Sequence, residues 1–277
     1  MRLCYQVATP DVAVSPAVTA YQGRIEKSFS DLGRLGYDGV ELMTISPDLL
    51  DWKHVKKTAE DNGLSVALVC TGEVYAQKKI SFTDPDEHVR NDAIREVKRL
   101  MEFAGYLGAK VNIGRVRGQY MHGIERERTY DWAVQAFRSI AAYGDEVGVS
   151  IAVEPVCIMQ TNFLNTVAEC AKMVDDVGCR RFRLMMDVFH MNIEEKNVEE
   201  TIRKFASYNI HVHLADNNRR YPGNCGTDFD KLLRVFHEVG YDDAFCTEIY
   251  QEPDQKTAAT ESIRHLRPIL NRIYGKQ

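Results

Sequence analysis

The sequence has no apolar run approaching the ~20 residues that cross a bilayer, no C-x-x-C pair, no glycine-rich phosphate loop behind its first apolar segment and no Pro-rich or Gly/Ser-rich linker. Without the apolar run there is no candidate membrane span, and residues 3–8 are too quickly interrupted for a signal peptide. The expectation is therefore a cytoplasmic protein with no membrane partner. Cys4, Cys70, Cys157, Cys170, Cys179, Cys225 and Cys246 make an odd count of 7 and lie mostly inside apolar stretches, so they read as reduced thiols acting as small hydrophobes. The missing phosphate loop counts against a doubly wound nucleotide-binding sheet. The missing linker points to one domain over residues 1–277. Basic residues are also in deficit, 35 Lys plus Arg against 40 Asp plus Glu, for a formal charge of -5. That balance offers no electrostatic footprint for nucleic acid and suits a small-molecule partner.

What is present is a repeated unit. A helical pattern ends in a glycine and a short β-rich run follows at once, at Gly36, Gly63, Gly108, Gly148, Gly178 and Gly240. Glycine takes the left-handed conformation cheaply, so each of these reads as a helix stop feeding a strand. The runs 3–8, 39–43, 65–70, 110–113, 150–154, 183–187, 210–214 and 244–249 are nearly continuous in apolar residues, as strands of a covered parallel sheet require. Between them, segments such as 92–107, 130–147, 166–177, 198–208 and 229–239 are amphipathic and long enough for crossover helices. Eight strand and helix pairs need about 250 residues, and the chain has 277, so the fold class is α/β, a single-domain (β/α)8 TIM barrel. Its longest irregular stretches, 72–88 and 217–227, fall where βα loops belong.

Barrel chemistry gathers where strands end, and four polar residues end consecutive strands there: Glu154, Asp187, His213 and Glu248. Three carboxylates meeting near the axis would repel one another strongly, and a divalent cation resolves this. Oxygen-rich ligation with one imidazole suits Mn²⁺, Mg²⁺ or Co²⁺ better than zinc. A lone acidic residue at a strand end is more often a helix cap or an ion-pair partner, but four on consecutive strands favour a metal site. His211 shares its strand face with His213 and reads as structural.

Glu154-Pro155, Asp187-Val188-Phe189-His190-Met191-Asn192, His211-Val212-His213-Leu214-Ala215-Asp216 with Arg219, and Thr247-Glu248 resemble the xylose-isomerase-like sugar isomerase and epimerase family, in particular its ketose 3-epimerases. Gly114-Arg115-Val116-Arg117-Gly118 and the stretch from Ala215 to Gly223 bring the resemblance nearest to the 5-keto-L-gluconate (tagaturonate) epimerase type. The resemblance implies one divalent metal, Mn²⁺ foremost, held by Glu154, Asp187, His213 and Glu248, with Glu154 and Glu248 doubling as the acid/base pair. It also implies substrate contacts from His190 and Arg219, and a homo-oligomer, a dimer or a tetramer. One departure is the apolar Val156-Cys157-Ile158-Met159 ahead of Gln160, where such epimerases carry polar and charged residues.

The expected activity is metal-dependent inversion of the carbon beside the carbonyl of a ketose or keto-acid sugar, by proton transfer between two glutamates through a cis-enediolate. Arg115 and Arg117 are candidate holders of a substrate carboxylate or phosphate, against the plainer reading of an ion-paired loop. Gln160 is a further substrate-contact candidate, and Glu73 and Glu41 read as polar wall on the same rim. The alternatives are an aldose–ketose isomerase, or a keto-sugar lyase or C-glycoside-cleaving enzyme whose aglycone meets residues 156–159. An apurinic-endonuclease-like nuclease is disfavoured, because its zinc cluster needs many strand-end histidines and His54, His88, His122, His237 and His265 lie elsewhere. A non-catalytic sugar-binding protein is disfavoured by the complete ligand and base set.

Overall fold

The structure, a computed structural model, describes residues 1–275; Lys276 and Gln277, the end of the expected 1–277 domain, lie outside the described residues. Eight strands, β1 (Arg2–Ala8), β2 (Gly39–Met43), β3 (Ser65–Cys70), β4 (Lys110–Ile113), β5 (Ile151–Val153), β6 (Phe182–Asp187), β7 (Asn209–Leu214) and β8 (Ala244–Thr247), pair in parallel in chain order. β8 returns to β1, so that Cys4 faces Gly39 on one side and Cys246 on the other, and the barrel closes. The expected (β/α)8 architecture is the one observed.

Helices α1 (Ile25–Leu35), α2 (Trp52–Asp61), α3 (Glu87–Leu107), α4 (Arg126–Val147), α5 (Val167–Val177), α6 (Val188–Glu194), α7 (Val198–Phe205), α8 (Phe229–Glu238) and α9 (Gln255–Tyr274) separate or follow the strands. All six glycines read as helix stops adopt positive φ. Two helices begin earlier than the apolar periodicity suggests. α3 starts at Glu87 because the Asp86 side chain accepts from His88 N–H, and α4 starts at Arg126 on a polar first turn. The expected helix over 198–208 stops at Phe205 and ends in one 3-10 turn to Tyr208.

Two packed regions result. Between strands and helices, Phe137 is fully buried against Phe82 and Phe182, with ring centroids 5.7 and 4.7 Å away; truncating such a ring to alanine costs about 3–5 kcal/mol. α4 approaches β5 so closely that a Cβ on Gly144 would lie 2.7 Å from the Val149 carbonyl oxygen, which is why glycine stands in mid-helix there. Inside the barrel, the small residues Cys4, Ala67, Ala244 and Cys246 form a separate buried cluster. Among the described residues no helix is long and apolar enough to cross a membrane.

Candidate metal centre

Each of the last four strands delivers one side chain to the same rim. Glu154 and Glu248 lie one residue past β5 and β8, Asp187 is the last residue of β6, and His213 lies one residue before the end of β7. One atom from each of Glu154, Asp187, His213 and Glu248 lies within 4.8 Å of all the others, so the four can hold a metal ion. His213 Nδ1 is the inner point, 3.1 Å from Glu248 Oε2, 3.6 Å from Glu154 Oε1 and 4.0 Å from Asp187 Oδ2.

The donor set fits a hard divalent cation. Asp187 divides its carboxylate: Oδ1 caps α6 by accepting from Phe189 N–H at 2.8 Å, while the buried Oδ2 has no partner among the described residues. Glu154 divides likewise, with Oε2 accepting from Asn112 Nδ2 at 2.7 Å and buried Oε1 unpartnered among the described residues. Buried oxygens left without a hydrogen bond are costly unless a cation takes them. The helix-cap reading of Asp187 is thus met by Oδ1, and Oδ2 is left available to a cation. Close approach matters too, since a Cβ on Gly114 would press on Glu154 Oε2 at 3.0 Å.

Electrostatics separates the acids. Burial pushes Asp187 up, Arg219 pulls it down, and repulsion from Glu154 and Glu248 adds to the rise, leaving it at about 7. Burial would also raise Glu248, but Arg219 and His213 outweigh it and hold that carboxyl well below the usual carboxylate range. Arg219 Nη2 donates to Glu248 Oε2 at 2.7 Å, and its guanidinium stacks 4.8 Å from the centroid of the Phe189 ring. Arg219 is held at a left-handed φ of 55° by Asp216, whose carbonyl accepts the Arg219 N–H at 2.8 Å. The Asp216 carboxylate gathers the N–H groups of Asn217, Gly223, Cys225 and Thr227, fixing the loop after β7. Burial and Arg219 keep His190 neutral. Two donors converge on it, Cys157 N–H on Nδ1 at 3.3 Å and Arg219 Nη1 on Nε2 at 3.2 Å. A neutral imidazole accepts at one nitrogen only, so His190 accepts from one of these donors and carries its proton on the other nitrogen.

A cavity of about 720 Å³ opens over the cluster, lined by Glu154, Glu248, His190, Arg219, Gln160, Glu73 and Arg115, with an apolar side that includes Val14, Met43 and Val156. A smaller cavity of about 280 Å³ lies at the strand beginnings, beside Lys110, Asn209 and Asp243, and contains none of the cluster.

Two expectations are corrected. Arg117 does not face the cavity: it is fully buried, and its five N–H groups all go to main-chain carbonyls of Gly114, Glu154, Phe163 and Leu164, leaving none for a substrate anion. Glu41 is not rim wall. It is fully buried inside the barrel, accepting from His211 Nε2 and from His213 Nε2, the latter at 2.8 Å. A charged residue in the otherwise apolar stretch from Val40 to Met43 was the available signal that something inside the barrel pairs with it. His211 stays outside the four-residue cluster.

The fold and site together define a barrel with a carboxylate-rich, metal-type centre on its carboxyl rim. The pattern of the xylose isomerase-like TIM barrel family matches residues 29–269, and the chain belongs to that family. Among curated proteins it is 26% identical over 245 residues to a probable ketose 3-epimerase of Synechocystis, covering 86% of this chain and 83% of that one. It is 26% identical to a D-psicose 3-epimerase of Agrobacterium fabrum, covering 74% and 70%. Among solved structures, a 3-keto-D-glucoside 4-epimerase from Escherichia coli superimposes with a TM-score of 0.82 at 21% identity, covering 97% of this chain and 99% of that one.

Proposed function

We propose that this chain is a divalent-metal-dependent sugar epimerase that inverts the carbon beside the carbonyl of a neutral ketose, with Glu154 and Glu248 as the proton-transferring pair. The observation that carries the reading is their placement: carboxylate oxygens from β5 and β8 within 4.8 Å of each other over one cavity, one buried oxygen unpartnered and the other carboxylate held ionised by Arg219. The relatives named ketose and psicose 3-epimerases agree with it. An ion held by Glu154, Asp187, His213 and Glu248, Mn²⁺ first with Mg²⁺ or Co²⁺ as alternatives, would polarise the carbonyl and acidify the adjacent C–H. Glu248, already ionised, takes a proton from one face, and Glu154, entering the step protonated, gives its own to the other, after which the two carboxyls exchange protons with solvent; a single base returning its own proton would leave the configuration unchanged. His190, Arg219 and the exposed Gln160, all on the cavity wall, hold substrate oxygens in place.

Charge argues for a neutral substrate. Each cavity guanidinium already faces a carboxylate, Arg115 against Glu73 and Arg219 against Glu248, so neither is spare for a substrate carboxylate or phosphate. Arg115 Nη2 already lies 3.7 Å from Glu73 Oε1. A second reading is a keto-glycoside, favoured by a cavity of about 720 Å³ with an apolar side at Ala13, Val14, Ala17 and Met43, and by the 3-keto-D-glucoside 4-epimerase likeness. In the same reading the chain is one cytoplasmic domain working as a homo-oligomer, and exposed Ile158, Met159 and Ile193 are apolar surface that a subunit contact would cover.

The test is a panel of ketoses, ketouronates and keto-glycosides with Mn²⁺ in deuterated water, followed by NMR. Deuterium at an inverted carbon is the expected result. A shifted carbonyl or a released aglycone would replace epimerisation with isomerisation or cleavage, and no exchange on any sugar would reject the enzyme reading.

A further inference from the structure

The interior of the barrel holds a second polar group that the four-residue cluster does not use. Glu41 on β2 and His211 on β7 are both fully buried, and β2 and β7 are separated around the barrel by β1 and β8. The Glu41 carboxylate spans this interior and takes one imidazole on each oxygen, His211 Nε2 on Oε1 and His213 Nε2 on Oε2 at 2.8 Å. Cys70 Sγ adds a contact to Oε2 at 3.7 Å, and Gln6 Nε2 in turn donates to Cys70 Sγ at 3.1 Å, so the carboxylate is fixed from β1 and β3 as well. His211 Nδ1 is buried with no partner among the described residues, which leaves that ring one strong bond, the one to Glu41.

This arrangement bears on the ligand atom of His213. An imidazole offers a metal a lone pair on one nitrogen only when its proton is on the other, and the partner of that other nitrogen decides which it is. Three carboxylates surround His213 Nδ1, within 3.1 to 4.0 Å. Left alone, they would draw the ring proton to Nδ1 and close the ligand position. A carboxylate on Nε2 keeps the proton there.

We infer that Glu41 is a positioning residue for the metal centre: it fixes the Nε2–H form of His213, so that Nδ1 is open towards Glu154, Asp187 and Glu248, and His211 holds Glu41 in place by occupying its second oxygen. Neither residue touches the substrate cavity. The inference rests on the metal reading of the cluster, and its test separates the two.

Glu41→Gln and His211→Gln are titrated with Mn²⁺ alone by calorimetry, and the melting of each metal-free protein is recorded alongside. Loss of such a partner to a ligating histidine costs 10- to 100-fold in metal affinity. The expected result is that loss in Glu41→Gln, with one Mn²⁺ per wild-type chain, and a smaller loss in His211→Gln, each in a protein that still melts cooperatively. With zinc or cadmium in place of manganese, the ¹⁵N spectrum of the wild type shows the His213 proton on Nε2. Wild-type affinity in Glu41→Gln overturns the inference; where Glu41→Gln does not fold, wild-type affinity in His211→Gln does so. A second Mn²⁺ in the wild type that disappears in His211→Gln also overturns it, because Glu41, His211 and His213 lie close enough to hold an ion themselves. No Mn²⁺ binding by the wild type defeats the proposed function instead.

Discussion

Arg117 Nη1 donates to the carbonyl oxygen of Glu154 at 2.8 Å, so the main chain of a proposed base is held by a guanidinium that never reaches the cavity. The same group holds the Phe163 and Leu164 carbonyls and thereby closes the loop after β5 onto the loop after β4. Lysine keeps the charge but cannot serve those directions at once, leaving several buried carbonyls without donors at about 1–3 kcal/mol each. Arg117→Lys should lower stability by about 2–4 kcal/mol in denaturant melts. It should reduce turnover of acidic and neutral sugars alike; a selective loss for acidic sugars would restore the anion-contact role.

Glu154→Gln and Glu248→Gln remove one proton carrier each while keeping shape. Each should lower turnover by about 10²–10⁴-fold, the range of a positioned acid or base. The two should differ in isotope behaviour: if Glu248 takes the first proton, Glu154→Gln retains some wash-out of substrate hydrogen into solvent without inversion. NMR of recovered substrate checks this, and equal loss of wash-out in both variants would count against the assigned order.

The barrel was legible because its signals are local. Gly36 or Gly148 after an amphipathic segment and before an apolar run marks a helix end and a strand start from adjacent residues alone. The four-residue cluster was legible for a related reason: in a closed parallel barrel every strand ends on one rim, so Glu154, Asp187, His213 and Glu248 share a location once the strands are found. Arg117 and Glu41 were misread because their partners leave no local pattern. The partners of Glu41 stand 170 and 172 positions away across the barrel, and those of Arg117 are carbonyls, which every residue carries. The segment from Val156 to Met159 was half legible: Val156 and Cys157 turn inward, while Ile158 and Met159 are 59% and 68% exposed.

As one of the proposed ligands, Asp187 should make metal affinity pH-dependent. Its carboxyl sits at about 7, raised by burial and by repulsion from Glu154 and Glu248 against the pull of Arg219. The ion needs Asp187 ionised and His213 neutral. Burial would lower His213, but Glu41 holds it well above its ordinary value, so below about 7 binding must expel up to two protons and Mn²⁺ affinity should fall by between about tenfold and about a hundredfold per pH unit. Without metal, a folded value above the unfolded one means that the contribution of Asp187 to stability is present at acidic pH and lost as pH rises through about 7. The melting-temperature gain on adding Mn²⁺ should therefore be larger at about pH 8 than at about pH 5.5. A gain independent of pH would remove Asp187 from the ligand set.

Arg219 controls the ionisation of Glu248. Burial alone would lift that carboxyl, and the guanidinium at 2.7 Å is the largest influence holding it down. In Arg219→Gln the Glu248 carboxyl rises, so the acidic limb of the kcat/KM profile should move to higher pH. If Arg219 also donates to a substrate oxygen from the cavity wall, its loss should add about 10²-fold at the optimum. A reduced rate with an unmoved acidic limb would show that Arg219 binds substrate without setting the base.

Glu73 and Arg115 should decide between neutral and acidic sugars. The carboxylate of Glu73 faces Arg115 Nη2 at 3.7 Å and also accepts from Gln77 Nε2 at 2.8 Å, so the guanidinium nearest the cavity mouth is already matched by an anion. Replacing Glu73 with glutamine keeps a hydrogen-bonding side chain of the same size but frees the positive charge. At 3.7 Å, with Glu73 buried and Arg115 half-buried, this ion pair contributes about 1 kcal/mol to stability, so the fold should be little affected. A planar carboxylate on a substrate can then take the place of Glu73 against the guanidinium. The expected outcome is a rise in kcat/KM for a ketouronate relative to the matching neutral ketose in Glu73→Gln, and its disappearance when Arg115→Ala is added. If the wild type already prefers the ketouronate and Glu73→Gln changes nothing, the charge balance of the cavity has been misjudged, and the acidic sugars implied by the resemblance at Gly114-Arg115-Val116-Arg117-Gly118 become the better substrates.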